Sequence, residues 1–437
     1  MHGSNHRIHI ETYGCAFNVA DGEAMAALLE RAGFCIVEAA ADADAVVLNT
    51  CTVKDRTWNS FRQRLSDLRD AARAGGPAVI LAGCVPPVYA NDELIAGLPA
   101  IGPDAIDRIA EVVEAALAGN SLKFIRDRHD AASRARLPVR RRNPLVEILP
   151  ISRGCLSACS FCQTRLARGR LRSFPRGDVM ERARRAIGEG VREIWVTSQD
   201  AGAWGRDCGE RLPALLAELC GIDGDFRVRL GMSSPAWIHE DLNGYLDALA
   251  HPKMFKFLHA PLQSGSDRVL ADMKRGNTAA QFEAIARAFS ERFPDGTFMT
   301  DIIVGYPTET EEDFGETMAL LERCGIGMVN RSNFSGRPGT AAARLEPLPP
   351  GIVLDRSLRL EKLVRAIARA WHERRVGRRE PVLPIEHRGK ATLAHNAAYR
   401  PVFIEGRLGL GEWVEVGHVA AADYHLKSKI VAPADSR

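Results

Sequence analysis

The stretch RGCLSACSFCQT, residues 153–164, sets Cys155, Cys159 and Cys162 in a C-x3-C-x2-C spacing. It follows directly on VEILPIS, a short apolar run that reads as a buried strand. Three soft ligands on one loop after a strand narrow what this chain can fold into. In parallel sheets and barrels, functional groups collect on loops at the strands' C-terminal ends. A zinc site wants four ligands, and so does an ordinary ferredoxin cluster. Three thiolates can hold three irons of a 4Fe–4S cube and leave the fourth open for a small molecule. The alternative is a zinc loop whose fourth ligand comes from elsewhere.

The flanking patterns supply the strands. After VEILPIS come EIWVTSQ, RVRLGMS, FKFLHAPLQ, FMTDIIVG and MVNRSNFS, with helical segments such as VMERARRAIGEG between them. Six βα units predict a TIM-like barrel or an open partial one over 145–376. A long helix, VLDRSLRLEKLVRAIARAWHERRVGRR, closes it. Upstream, RIHIETYGC, ADAVVLNTC and AVILAGC alternate with helices, which predicts a doubly wound parallel sheet over 6–122. Cys15, Cys51 and Cys84 each end one of these strands, where open α/β sheets gather their ligand sites. Three cysteines far apart in sequence are thus expected to meet, against the alternative of three coincidental buried cysteines. The arginine-rich, non-periodic segment 123–144 reads as a basic linker, either assisting an RNA contact or simply solvated. Over 379–433, five short strand candidates separated by Gly, Asn and Asp predict a small antiparallel β-barrel of the oligonucleotide-binding kind.

Composition narrows the setting. The chain has 437 residues, ten of them cysteine, and the polar start MHGSNHRIHIE shows no export signal. That favours a reduced, cytoplasmic protein with metal or catalytic cysteines over a disulfide framework. Cys35, Cys208, Cys220 and Cys324 stand alone and read as packed small hydrophobes. No apolar run approaches a membrane span. A net charge of +3 does not announce a nucleic-acid partner; the distribution of charge matters more.

TYGCAFNVADGEAMA, NTCTVK, AGC, GCLSACSFCQTRLARGRLRS, HAPLQSGSDRVLADMKRG and TDIIVGYPTETEEDF together resemble the methylthiotransferase family of radical S-adenosylmethionine enzymes. The resemblance covers nearly the whole chain, in the family's order: cluster-bearing N-terminal domain, radical core, C-terminal TRAM barrel. It implies two 4Fe–4S clusters. One, on Cys155, Cys159 and Cys162, cleaves S-adenosylmethionine to a 5′-deoxyadenosyl radical that takes a hydrogen from an unactivated carbon. The auxiliary one, on Cys15, Cys51 and Cys84, presents sulfur that a second S-adenosylmethionine methylates. For cofactor binding, the resemblance points to Gln199 at the amino group and to Arg229 and Ser233 at the carboxylate. Arg229 has an alternative as the partner of a core acid. Gln263 and Ser264 are placed at the ribose, Asp301 as an orienting group, and Ile303 and Val304 at the adenine, where core packing explains them equally well. Arg153 departs from the Glu or Gln expected before the motif.

Family members modify isopentenyladenosine or threonylcarbamoyladenosine in tRNA, or a ribosomal-protein aspartate. TYGCAFNVADGEAMA, NTCTVK and LARGRLRS look most like the archaeal and eukaryotic-type enzymes that methylthiolate C2 of threonylcarbamoyladenosine beside the anticodon. Arg374, Arg375, Arg378, Arg379, Arg388, Lys390, Tyr399, Arg400, Lys427 and Lys429 are the candidate RNA contacts. Basic residues around an aromatic can track a backbone and stack a base, though each alone also reads as a solvated charge. A monomer, a tRNA anticodon stem-loop partner and a flavodoxin or ferredoxin electron donor complete the expectation. The alternative is a methylthiotransferase acting on a protein carbon.

Overall fold

The computed structural model describes residues 6–52, 55–93, 95–125 and 131–431. The first five residues of the polar start, residues 126–130 of the basic linker and residues 432–433 of the expected barrel lie outside the described residues. Apolar β-branched runs buried on both faces give the N-terminal sheet its parallel strands. Ala45–Thr50 is buried at every position. The order is Cys35–Ile36, Arg7–Thr12, Ala45–Thr50, Ala78–Gly83, Ala100–Ile101 and Lys123–Phe124, all parallel. Neighbouring central strands therefore end side by side, and a cysteine follows each.

The helix Ala16–Arg31 starts at once after Cys15 and is buried almost all round. One side packs on its own sheet. On another, Ala16, Val19 and Ala20 meet Val146, Ile148 and Trp195 of the second domain. Small side chains allow that close approach, and the helix covers the flank of the first barrel strand.

The second domain has the six expected strands: Val146–Pro150, Glu193–Thr197, Arg227–Leu230, Phe257–His259, Thr297–Val304 and Met328–Asn333. They form two parallel three-stranded sheets, joined through the bridge Val228–Met254. First and last strands do not pair, so the barrel is partial. The helix Pro350–Glu373 packs on the last strand and leads down to the C-terminal domain.

That domain is a closed barrel of five strands. It corrects the expectation of a wholly antiparallel one: Pro401–Glu405 runs parallel to Leu426–Ile430. A ring of five alternating strands must contain one parallel pair to close.

The linker is also corrected. Its described part is no solvated spacer, because four of its arginines pair with acids on both sides. Arg134 meets Asp21, Arg136 meets Asp178, Arg140 meets Glu30, and Arg141 meets Glu147 and Glu189. Of the lone cysteines, Cys220 is buried and Cys324 half-buried, but Cys35 and Cys208 are exposed. One opens a two-residue edge strand, and the other sits on a loop where the chain has no core to reach.

Candidate active site

Glycines set up both cysteine groups. Gly14 and Gly154 each precede the first cysteine of a group, with φ +108° and +72°. A Cβ at Gly14 would overlap Cys51, and one at Gly154 would overlap the Arg170 carbonyl. Left-handed backbone with no room for a side chain requires glycine at both.

Asn18, fully buried, gathers the ends of the three N-terminal strands. Its Nδ2 donates to the carbonyls of Tyr13 and Thr50, both at 2.9 Å. The Cys84 Sγ lies 3.8 Å from its Oδ1. Cys84 N–H in turn donates to the Thr50 carbonyl at 2.9 Å. Cys15, Cys51 and Cys84 are thereby held around one side chain, Cys15 exposed and the other two buried.

On the barrel loop, Ser157 N–H donates to Cys155 Sγ at 3.3 Å and Arg275 Nη1 to Cys159 Sγ at 3.4 Å. Burial first, then nearby Asp200, pushes the Cys155 thiol up to about 11. Burial likewise raises the Cys84 and Cys162 thiols. Ligation needs thiolates, so loading these groups releases protons. Among the described residues no three Cys, His, Asp or Glu side chains converge as they would on a single metal ion. Thiols spread round a cavity, with N–H donors aimed at sulfur, suit an iron–sulfur cube, whose sulfurs take such hydrogen bonds.

Both groups open on one cavity of ≈ 580 Å³, which Cys15, Cys51 and Cys162 line together. Gln263, Asp301 and Ile303 line it as well. Gln263 sits at φ +85° and bridges to Ile302. Asp301 accepts from Asn330 Nδ2 at 2.8 Å and lies 3.0 Å from His259 Nε2. Gln199 is at the cysteine loop itself, its Oε1 accepting from Gly154 N–H at 2.7 Å.

Four expected cofactor residues point elsewhere. Arg229 does not line the cavity, and among the described residues no acid pairs with it; its guanidinium lies over the Phe257 and Tyr399 rings at 5.1 and 5.3 Å. Ser233 is fully buried beside the Tyr245 hydroxyl. Ser264 is buried with its Oγ 3.5 Å from Thr317 on the outer helix Glu311–Arg323. Val304 belongs to the main core, because alternation along its strand turns it away from Ile303. Arg153 is buried and paired with Asp104 of the N-terminal domain.

The candidate RNA residues divide in the same way. Arg374, Arg378, Arg379, Arg388, Lys390, Lys427 and Lys429 are exposed. Tyr399, Arg375 and Arg400 are corrected to interdomain packing. Tyr399 packs edge-on against Phe255, Phe257 and Trp195, with centroids at 5.0, 5.2 and 6.1 Å. Arg375 and Arg400 both stack on Trp371, and they bond Asp295 at 2.5 Å and Thr297 at 2.9 Å.

Sequence reasoning missed Arg168 and Arg275, which serve the cysteine groups, and the polar wall Asn330, Ser332 and Asn333. The wall had a signal: Asn330 and Ser332 alternate on a strand of a barrel, so both face one side. It also missed Phe403 and Tyr424. Phe403 pairs with His425 at 4.8 Å, and Tyr424 is 46% exposed.

Comparison with known proteins fits this architecture. Residues 149–321 match the Radical SAM superfamily, and residues 7–101 match Uncharacterized protein family UPF0004. The threonylcarbamoyladenosine tRNA methylthiotransferase of Mus musculus is 39% identical over 435 residues, covering 98% of this chain and 74% of that protein. A probable threonylcarbamoyladenosine tRNA methylthiotransferase of Archaeoglobus fulgidus is 40% identical over 412 residues, covering 94% and 95%. Among solved structures, the radical S-adenosylmethionine methyltransferase TsrM from Kitasatospora setae superposes with a TM-score of 0.57 at 15% identity, covering 78% of this chain and 77% of that one. The fold is shared with that enzyme.

Proposed function

This chain belongs to the threonylcarbamoyladenosine tRNA methylthiotransferases, a radical S-adenosylmethionine family, and from that premise we propose how its residues divide the work. The enzyme adds a methylthio group to C2 of N6-threonylcarbamoyladenosine in tRNA. Cys155, Cys159 and Cys162 would hold the cluster that all such cores carry, and Cys15, Cys51 and Cys84 a second, auxiliary 4Fe–4S cluster. When bound, these clusters and S-adenosylmethionine supply the radical that removes hydrogen from carbon and the sulfur that replaces it.

The observation that carries this reading is the single cavity lined by Cys15, Cys51 and Cys162. A carbon activated at one side must meet sulfur at the other before it reacts with anything else. The chain's own residues provide that confinement. The helix Ala16–Arg31 brings Cys15 to the barrel mouth. Phe161 and Phe334 supply apolar wall that sheds water. Gln199 fixes the start of the cysteine loop through Gly154. Asp301, held by Asn330, places a carboxylate in the cavity to orient a hydroxyl or amino group.

RNA affinity falls to the exposed face of the small barrel, where Phe403 and Lys427 are register partners, and to the exposed Tyr424, two residues ahead of the strand that carries Lys427. A monomer with the domain limits given above, served in the cytoplasm by a flavodoxin or ferredoxin, completes the reading. Among the described residues no helix is long and apolar enough to cross a membrane.

The test is one anaerobic reaction of reconstituted protein with S-adenosylmethionine, reductant and tRNA bearing threonylcarbamoyladenosine. Mass spectrometry of the digest should find the methylthio nucleoside alongside 5′-deoxyadenosine. Deoxyadenosine with unmodified tRNA would overturn the RNA substrate and move the reaction to a protein carbon.

A further inference from the structure

Arg168 ends the short helix Thr164–Arg168, which follows Cys162 in the radical core. Its side chain leaves that domain and enters the N-terminal one. Its Nη2 donates to Asn18 Oδ1 at 2.6 Å and to Asp21 Oδ2 at 2.9 Å. Its face lies 4.4 Å from the centre of the Phe17 ring. The side chain is 2% exposed, and its Nη1 is buried without a hydrogen-bond partner.

Charge counting sharpens the point. Asp21 is shared by two buried guanidiniums, Arg168 and Arg134. Asp107, the next acid acting on Arg134, is exposed. Two buried cations on one buried carboxylate leave an excess positive charge. An uncompensated buried charge is costly enough that a partner is expected nearby. Cys84 lies against the same acceptor: its Sγ is 3.8 Å from the Asn18 Oδ1 that takes the Arg168 Nη2–H at 2.6 Å. The auxiliary thiolates therefore stand where the missing anion belongs.

We propose that Arg168 donates its free Nη1–H to sulfur at the Cys84 corner of the auxiliary cluster, as a positioning residue that raises the cluster's reduction potential. The inference rests on the auxiliary cluster of the preceding section. Hydrogen bonds donated to cluster sulfurs stabilise added negative charge and so favour the reduced form. The donor comes from the same segment that carries the other cysteine loop, six residues after Cys162. The auxiliary cluster thus acquires its full hydrogen bonding only when the two domains are docked.

The test uses the full chain with Cys155, Cys159 and Cys162 changed to Ala, so that the auxiliary cluster alone is read. Iron and sulfide per chain are measured after anaerobic reconstitution, and the midpoint potential by redox titration followed by electron paramagnetic resonance. Arg168→Gln should lower the potential, so that at fixed applied potential the reduced-to-oxidised ratio falls about tenfold, the scale of one charge-assisted hydrogen bond. Arg168→Lys keeps the charge but loses the fork, and should fall between parent and Gln. A loaded Gln variant with the parent's potential overturns the inference. If the Gln variant does not fold, the Lys variant decides: a lowered potential supports the assignment and an unchanged one overturns it. A parent that binds no iron would instead overturn the auxiliary-cluster reading, before any Arg168 variant is made.

Discussion

Single residues decide whether the cysteine groups exist at all. Gly14 carries Cys15 round a left-handed turn against the Cys51 side chain. Gly14→Ala adds a Cβ where Cys51 already stands, and the turn must open. The expected result is loss of the auxiliary group alone: about half the parent's iron per chain after reconstitution, since each of the two proposed 4Fe–4S sites would hold the same number of irons. Full iron in that variant would mean the Cys15 turn is not needed for ligation. The placement of the six cysteines at strand ends and on one loop was legible because spacing and strand ends are local properties of the sequence. Tyr399 was misread for the opposite reason. It sits in AHNAAYRPV, a turn-like stretch of small and polar residues, and only the docking of two domains reveals that its ring packs against Phe255, Phe257 and Trp195. Nothing local separates it from Tyr424, which is exposed.

At the scale of elements, the turn between Ala391–Asn396 and Pro401–Glu405 is a plug. It places Tyr399, at φ +57°, under the partial barrel, where His395 Nδ1 lies 2.9 Å from Glu193 Oε1. Lys256 N–H donates to the Ala397 carbonyl at 2.8 Å. Tyr399→Ala should cost about 3 kcal/mol, the low end for truncating a large aromatic because this one is half-buried, read as a lowered thermal midpoint. The salt dependence of tRNA binding should stay as in the parent, because no phosphate contact is lost.

The same seam carries a pH dependence. His372, near the end of Pro350–Glu373, is fully buried, and burial followed by the Arg400 charge lowers its pKa from 6.5 to about 4. Between those values the unfolded chain binds the proton that the folded one refuses, so this residue's contribution to stability falls as pH drops from about 6.5 towards 4. His372→Leu should lose that part of the acid limb, giving a smaller difference in midpoint between pH 7 and pH 4.5 than the parent shows. Equal differences would assign the acid limb to other groups. Element types were readable from periodicity. The plug and the clamped linker were not, because their arginines and tyrosine find partners more than a hundred residues away in several cases, as Arg400 does on Thr297.

Across the whole molecule, the small barrel and the cavity lie at opposite ends of the radical core. The small barrel touches Arg192, Glu193, Lys256 and Thr297, all at the starts of core strands, whereas the cavity gathers at their ends. The longest of these strands, at eight residues, spans roughly 26 Å at the usual rise per residue. An RNA held by the small barrel, as proposed above, would have to pass along the core's flank to reach the other end. Asn330 marks the route: it lines the main cavity and also a smaller pocket shared with Arg331, Glu361 and Tyr424. Met328–Asn333 is the unpaired edge of its sheet, so this flank has no further strand to cover it. Tyr424 then stands where a base could stack on the way. Tyr424→Ala should weaken tRNA binding by about 1–3 kcal/mol, the usual value of one stacked base, at every salt concentration. Lys427→Ala should instead flatten the salt dependence by about one phosphate contact. Neither should slow 5′-deoxyadenosine formation without RNA, because both residues lie outside the cavity. A Tyr424→Ala variant that binds tRNA as the parent does would take the RNA off this flank. The exposed arginines Arg374, Arg378 and Arg379, at the other side of the plug, would then become the path to test.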